Sequence, residues 1–165
     1  MRRILMLLAL CAPAFGQNYV RWAATSGDVS LSAAYTVTIQ QPATNAQQVE
    51  LEAIIVYCSV ACNVTQAANG AAATSTAGTV TPILPSQLNI TPSAKFWTAS
   101  NVGAGTAQGG IFHLAVGATT AFCLSTSCGA TQSVRLGTGG TGNNYSVSIS
   151  SISGTANITI YGRSY

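Results

Sequence analysis

Residues 48–66 read QVELEAIIVYCSVACNVTQ, and this stretch contains the longest apolar run beyond residue 16. Val49, Leu51, Ala53, Ile55 and Tyr57 alternate onto one face of an extended chain. Glu50 and Glu52 begin the other face, which turns apolar at Ile54 and Val56. A strand that is polar at its start and apolar on both faces later is expected to run from a rim into a covered interior. Cys58 and Cys62 follow, and alternation resumes over residues 63–66. In a continuous strand these cysteines would stand about 13 Å apart, whereas a disulfide needs Cα atoms within about 7 Å. The expected reading is a β-hairpin that turns at residues 59–61 and is clipped by a local disulfide. Pairing of each cysteine elsewhere is the alternative.

Strand signals recur on both sides of this stretch. Residues 29–40 place Tyr35, Val37 and Ile39 inward and Thr36 and Thr38 outward. Residues 111–116 place Phe112, Leu114 and Val116 inward, and residues 119–124 do the same with Phe122 and Leu124. In residues 145–160 the inward set is Tyr145, Val147 and Ile149, then Ala156, Ile158 and Ile160, with a turn through Gly154. That arrangement reads as a second hairpin. Shorter candidates lie at residues 19–23, 79–84, 95–102 and 133–136. No segment carries a sustained helical period with caps. The expected fold is all-β: an antiparallel two-sheet β-sandwich, jelly-roll-like, of eight to ten short strands. A closed barrel is the alternative. Serine and threonine at the outward positions disfavour a lipid-facing barrel.

The first residues have a different character. Arg2 and Arg3 precede the apolar run 4–12, and Ala14-Phe15-Gly16 resembles a cleavage signal. Residues 1–16 are therefore expected to form a secretory signal peptide, cut before Gln17, with one sandwich domain over residues 17–165. A lipoprotein signal ending at Cys11 fits less well, because Leu10 stands where a small residue is needed. Export implies an extracellular, periplasmic or cell-surface location. The even set Cys58, Cys62, Cys123 and Cys128 then reads as two disulfides. A zinc site is disfavoured by the single histidine, so neither metal nor cofactor is expected.

Charge is scarce, at 5% of residues against about 25% in an average domain. Beyond residue 16, Arg21, Lys95, Arg135 and Arg163 face Asp28, Glu50 and Glu52. There is no basic stripe for nucleic acid and no later apolar run long enough for a transmembrane helix.

Chemistry-bearing residues are correspondingly few. His113 alternates against Phe112 and Leu114, so it is expected at the surface. Glu50 and Glu52 leave one face about 6.6 Å apart, a spacing compatible with a glycosidase pair or a weak calcium site. The favoured reading for both is a solvated strand end. Trp22, Trp97 and Tyr19 are the candidate ligand-stacking aromatics, although core placement is favoured for each tryptophan. Four Asn-x-Ser/Thr sequons begin at Asn63, Asn89, Asn144 and Asn157. The glycine-rich run 137–142 lacks the lysine and helix of a phosphate loop.

These observations favour a secreted, non-catalytic structural or interaction protein, fibre-, matrix- or adhesin-like. Its expected partner is itself or an extracellular glycan or protein. A small carbohydrate-binding module is the alternative, and a hydrolase is third.

Overall fold

The computed structural model describes residues 19–32, 34–41, 48–68, 76–87, 90–98, 106–108, 110–130, 133–136, 144–150 and 153–165. The expected signal peptide, and Asn89 among the sequons, lie outside these residues. Fourteen strands occur among the described residues, more than expected, because several pair over only two or three residues. In chain order they are β1 (Val20–Thr25), β2 (Val29–Ser30), β3 (Tyr35–Gln40), β4 (Val49–Cys58), β5 (Cys62–Ala68), β6 (Thr76–Ala77) and β7 (Val80–Pro82). Then follow β8 (Lys95–Thr98), β9 (Thr106–Ala107), β10 (Phe112–Leu114), β11 (Ala118–Cys123), β12 (Val134–Leu136), β13 (Asn144–Ser150) and β14 (Thr155–Ser164). Single 3-10 turns occupy Pro85–Gln87 and Thr126–Cys128.

The strands form two antiparallel sheets. The first runs β11-β4-β14-β1-β7, with β12 sharing the β11 edge of β4 and β2 sharing the β1 edge of β14. The second runs β10-β5-β13-β3-β8-β6, with β9 on β5. Consecutive strands face each other across the molecule: β4 with β5, β10 with β11, β13 with β14, β7 with β8. Both expected hairpins are therefore corrected. β4 and β5 share no ladder, and neither do β13 and β14, since each pair arches from one sheet to the other. Sheets stack about 10 Å apart, a gap that connections of three or four residues can span. Strand alternation is the same for an arch and a hairpin, so the pattern alone did not separate them.

Inward side chains of both sheets form one core. The first sheet supplies Trp22, Leu51, Ile54, Val56, Ile158 and Ile160, and the second Val37, Ile39, Val64, Phe96, Val147 and Ile149. β4 explains its own odd pattern. Leu51 pairs with Gly162 while Ala53 pairs with Tyr161, leaving Glu52 as an extra residue in a β-bulge. The bulge shifts the inward set from Val49 and Leu51 to Ile54 and Val56, all four fully buried. Ala53, Ile55 and Tyr57 thus leave the face that residues 49 and 51 occupy.

Gly162 lets the largest core side chain fit. A Cβ there would stand 2.4 Å from Trp22 Cζ2 and 2.6 Å from the Glu50 carbonyl oxygen. The bare α-carbon admits the indole of its cross-strand partner, and Trp22 Nε1 donates to Ser164 Oγ at 3.0 Å.

Candidate functional site

The expectation of a solvated Glu50–Glu52 pair is overturned: Glu50 is 1% exposed and Glu52 7%. The sheet register explains their cover. On the outer face of the first sheet, Arg135 pairs with Glu50, Glu50 with Arg163, and Arg163 with Arg21, across β12, β4, β14 and β1. Arg163 Nη2 lies 3.2 Å from Glu50 Oε1, and Arg135 Nε lies 3.2 Å from Glu50 Oε2. Glu52, turned out by the bulge, meets Arg21 Nη2 at 2.8 Å and Arg163 Nε at 3.4 Å. Tyr165 donates its hydroxyl to Glu50 Oε2 at 3.0 Å, and Ser125 donates to Oε1 at 3.2 Å. The Arg163 guanidinium carbon lies 5.7 Å from the ring centres of both Tyr19 and Tyr165.

Burial pushes the Glu50 carboxyl up, but hydrogen bonds from Ser133 and Tyr165 and the Arg163 and Arg135 charges outweigh it. The group is held below the ordinary carboxylate range and stays ionised. Burial first, then Glu50 itself, raises the Tyr165 phenol, which stays a donor. Guanidinium groups engage both carboxylates. Neither is set against a facing carboxylate across a cleft, the arrangement that glycoside hydrolysis requires.

The remaining candidates are dispersed. His113 is exposed on the outer face of the second sheet, with Nδ1 2.6 Å from Asn63 Oδ1 of the paired strand. The glutamates occupy the outer face of the other sheet, so neither can orient this imidazole. Trp22, offered as a stacking platform, is sealed in the core. Trp97 is half-buried on the second sheet's outer face, with Nε1 donating to Gln40 Oε1 at 3.0 Å. Tyr19 packs at the charged row, 6.0 Å from the Tyr165 ring. Asn63 is exposed and Asn157 half-buried, whereas Asn144 is fully buried and inaccessible to a glycan in the folded state. Cys58 is bonded to Cys62 and Cys123 to Cys128. No metal-holding group of His, Cys, Asp or Glu occurs among the described residues.

The surface feature with the most consequence is the side where β10 and β11 end their sheets. Among the described residues β10 pairs with β5 alone and β11 with β4 alone, so each has one edge without a strand partner there. They join through a turn at Gly117, whose φ of +67° suits glycine. Val116, expected inward, is 73% exposed in that turn, because the chain leaves β10 before the alternation reaches it. Ile111 and Phe112 are exposed at the other end of β10, and the Phe112 ring meets Phe122 edge-on at 4.6 Å across the two sheets. From Phe96 to Val134 the sequence has no lysine, arginine, aspartate or glutamate.

No family model, curated protein or solved structure matches the chain.

Proposed function

We propose that the protein is a secreted, non-catalytic structural or interaction subunit that associates with copies of itself through the β10–β11 side. The observation that carries this reading is a pair of strand edges, without a strand partner among the described residues, flanked by exposed Ile111, Phe112 and Val116, with no charged side chain in their sequence neighbourhood. Soluble proteins usually blunt such edges with lysine, proline or a covering element. The scarcity of charge removes a further barrier, since copies repel one another weakly.

Two finer readings accompany this proposal. The facing pairs β10/β11, β4/β5, β13/β14 and β1/β3 occur in the order of a jelly roll, with β7/β8 added beyond β1/β3. Secretion is supported by two disulfides, which persist in oxidising compartments, and by the signal-like residues 1–16. N-terminal sequencing of the exported protein is expected to begin at Gln17.

The test is sedimentation of residues 17–165 over rising concentration, with electron microscopy of the concentrated sample. Oligomers or filaments are expected, and the double change Ile111→Lys/Val116→Lys is expected to return the protein to monomers. A parent protein that stays monomeric at millimolar concentration sinks the proposal. A carbohydrate-binding module is the second reading, favoured by the partly accessible, hydrogen-bonded Trp97 ring. It requires glycan binding that Trp97→Ala abolishes without unfolding the protein.

A further inference from the structure

Between the β10–β5 and β11–β4 ends of the two sheets lies a cleft of about 410 Å³. That size is within the range of small-molecule sites, which combine apolar walls with a few placed polar groups. Here Phe112, Phe122, Leu124 and Val134 supply the walls, and Gln66, Gln108 and Tyr145 the polar part, Gln108 Nε2 already donating to the Thr106 carbonyl at 3.2 Å.

The polar part has a definite unsatisfied capacity. Gln66 is 7% exposed and Tyr145 2%. The Tyr145 hydroxyl donates to Gln66 Oε1 at 2.7 Å. Burial raises the Tyr145 phenol to about 12, so it remains a neutral donor at physiological pH. This bond occupies the oxygen of the Gln66 amide and orients it. Among the described residues the Gln66 Nε2 group, which carries two N–H donors, makes no hydrogen bond, and Gln66 lines the cleft. The amide nitrogen is not one of the side-chain polar atoms sealed off from solvent without a hydrogen-bond partner, so an acceptor arriving in the cleft can take the place of water on this donor.

We propose that this cleft binds a small apolar molecule bearing a carbonyl oxygen. The Gln66 Nε2–H donates to that oxygen, and the Phe112 and Phe122 rings flank the hydrocarbon. The Tyr145 hydroxyl acts as a positioning group that fixes which end of the amide faces the ligand. The cleft shares Phe112 with the proposed association surface, so the test is run on dilute, monomeric protein, where a failure of binding and a failure of self-association are read separately.

The test uses two probes of nearly equal shape, 2-acetylnaphthalene and 2-ethylnaphthalene, titrated into dilute protein and followed by NMR. The ketone is expected to bind about fivefold more tightly, the worth of one net hydrogen bond, with both probes giving nuclear Overhauser contacts to the Phe112 and Phe122 rings. Gln66→Met keeps the volume and removes the donor, so it should erase the ketone's advantage while leaving the ethyl probe's affinity unchanged. The double change Gln66→Met/Tyr145→Phe is expected to behave alike without stranding a buried hydroxyl, which guards against a single variant that fails to fold. Val134→Trp, filling the cleft, should block both probes. Absence of binding by either probe, contacts elsewhere on the molecule, or a ketone preference that survives the loss of Gln66 overturns the proposal.

Discussion

Glu50 is a buried carboxylate enclosed by two guanidiniums and three hydroxyls on the outer face of the first sheet. Breaking a buried ion pair by removing one partner costs about 3–5 kcal/mol, because the other charge stays behind uncompensated. Arg135 is 55% exposed and can turn to water, so Glu50→Gln is expected to cost less, about 2–3 kcal/mol in urea unfolding. The pH dependence has a definite sign. The folded carboxyl titrates below its ordinary value of 4.5. Its contribution is fully present above the unfolded pKa and is lost as pH falls through the folded one. The stability gap between the parent and the Glu50→Gln variant should therefore be constant from neutrality to about pH 5 and narrow below it. Tyr145 has the opposite sign. Its folded pKa is raised from 10.0 to about 12, so its contribution is full below pH 10 and is lost on the way up to about pH 12. Tyr145→Phe should remove that alkaline loss. Gly162→Ala tests the closest packing: its Cβ would meet both the indole and the Glu50 carbonyl. A destabilisation of about 3 kcal/mol, at the upper end of overpacking costs, is expected as a lowered melting temperature.

At the level of the strand, alternation and arginine partnership differ in how far the sequence displays them. The inward sets of β3, β13 and β14 are legible because a period of two has one solution wherever one face is apolar. β4 misleads because its bulge inserts a residue and exchanges the faces midway. Apolar residues on both faces, read as deepening burial, record a shift of register. The charged row is invisible for another reason. Arg21, Arg135 and Arg163 are far apart in sequence, and only the order β12-β4-β14-β1 brings them to Glu50 and Glu52. One signal was available: two adjacent outward carboxylates on a strand this apolar need cations, and the chain has few to offer. The Cys58–Cys62 clip closes one of the sheet-to-sheet arches. In the chain-entropy view so short a loop contributes about 2 kcal/mol. Ser59 N also donates to Thr155 O at 2.8 Å, and Thr155 N donates to Ser59 Oγ at 2.7 Å. Cys58→Ala/Cys62→Ala should therefore lose about 2 kcal/mol and keep its fold by circular dichroism.

Five of the seven charged residues beyond residue 16 (Arg21, Glu50, Glu52, Arg135 and Arg163) gather at one end of one sheet face, and β10 and β11 carry no lysine, arginine, aspartate or glutamate. That separation predicts how the proposed self-association responds to solvent. An interface held by ion pairs weakens as salt shortens the Debye length from about 14 to about 4 Å between 0.05 and 0.5 M. An interface of strand edges and apolar side chains has no such dependence, and sulfate strengthens it through exclusion from the protein surface. The association constant from sedimentation is therefore expected to stay level across that range of sodium chloride and to rise in ammonium sulfate. A steep fall with sodium chloride would instead place the contact at Arg21 and Arg135, the row's two most exposed cations. The Ile111→Lys/Val116→Lys variant separates the two cases. It leaves the charged row intact, so association that survives it with undiminished affinity belongs to the arginine face and removes the edge strands from the account.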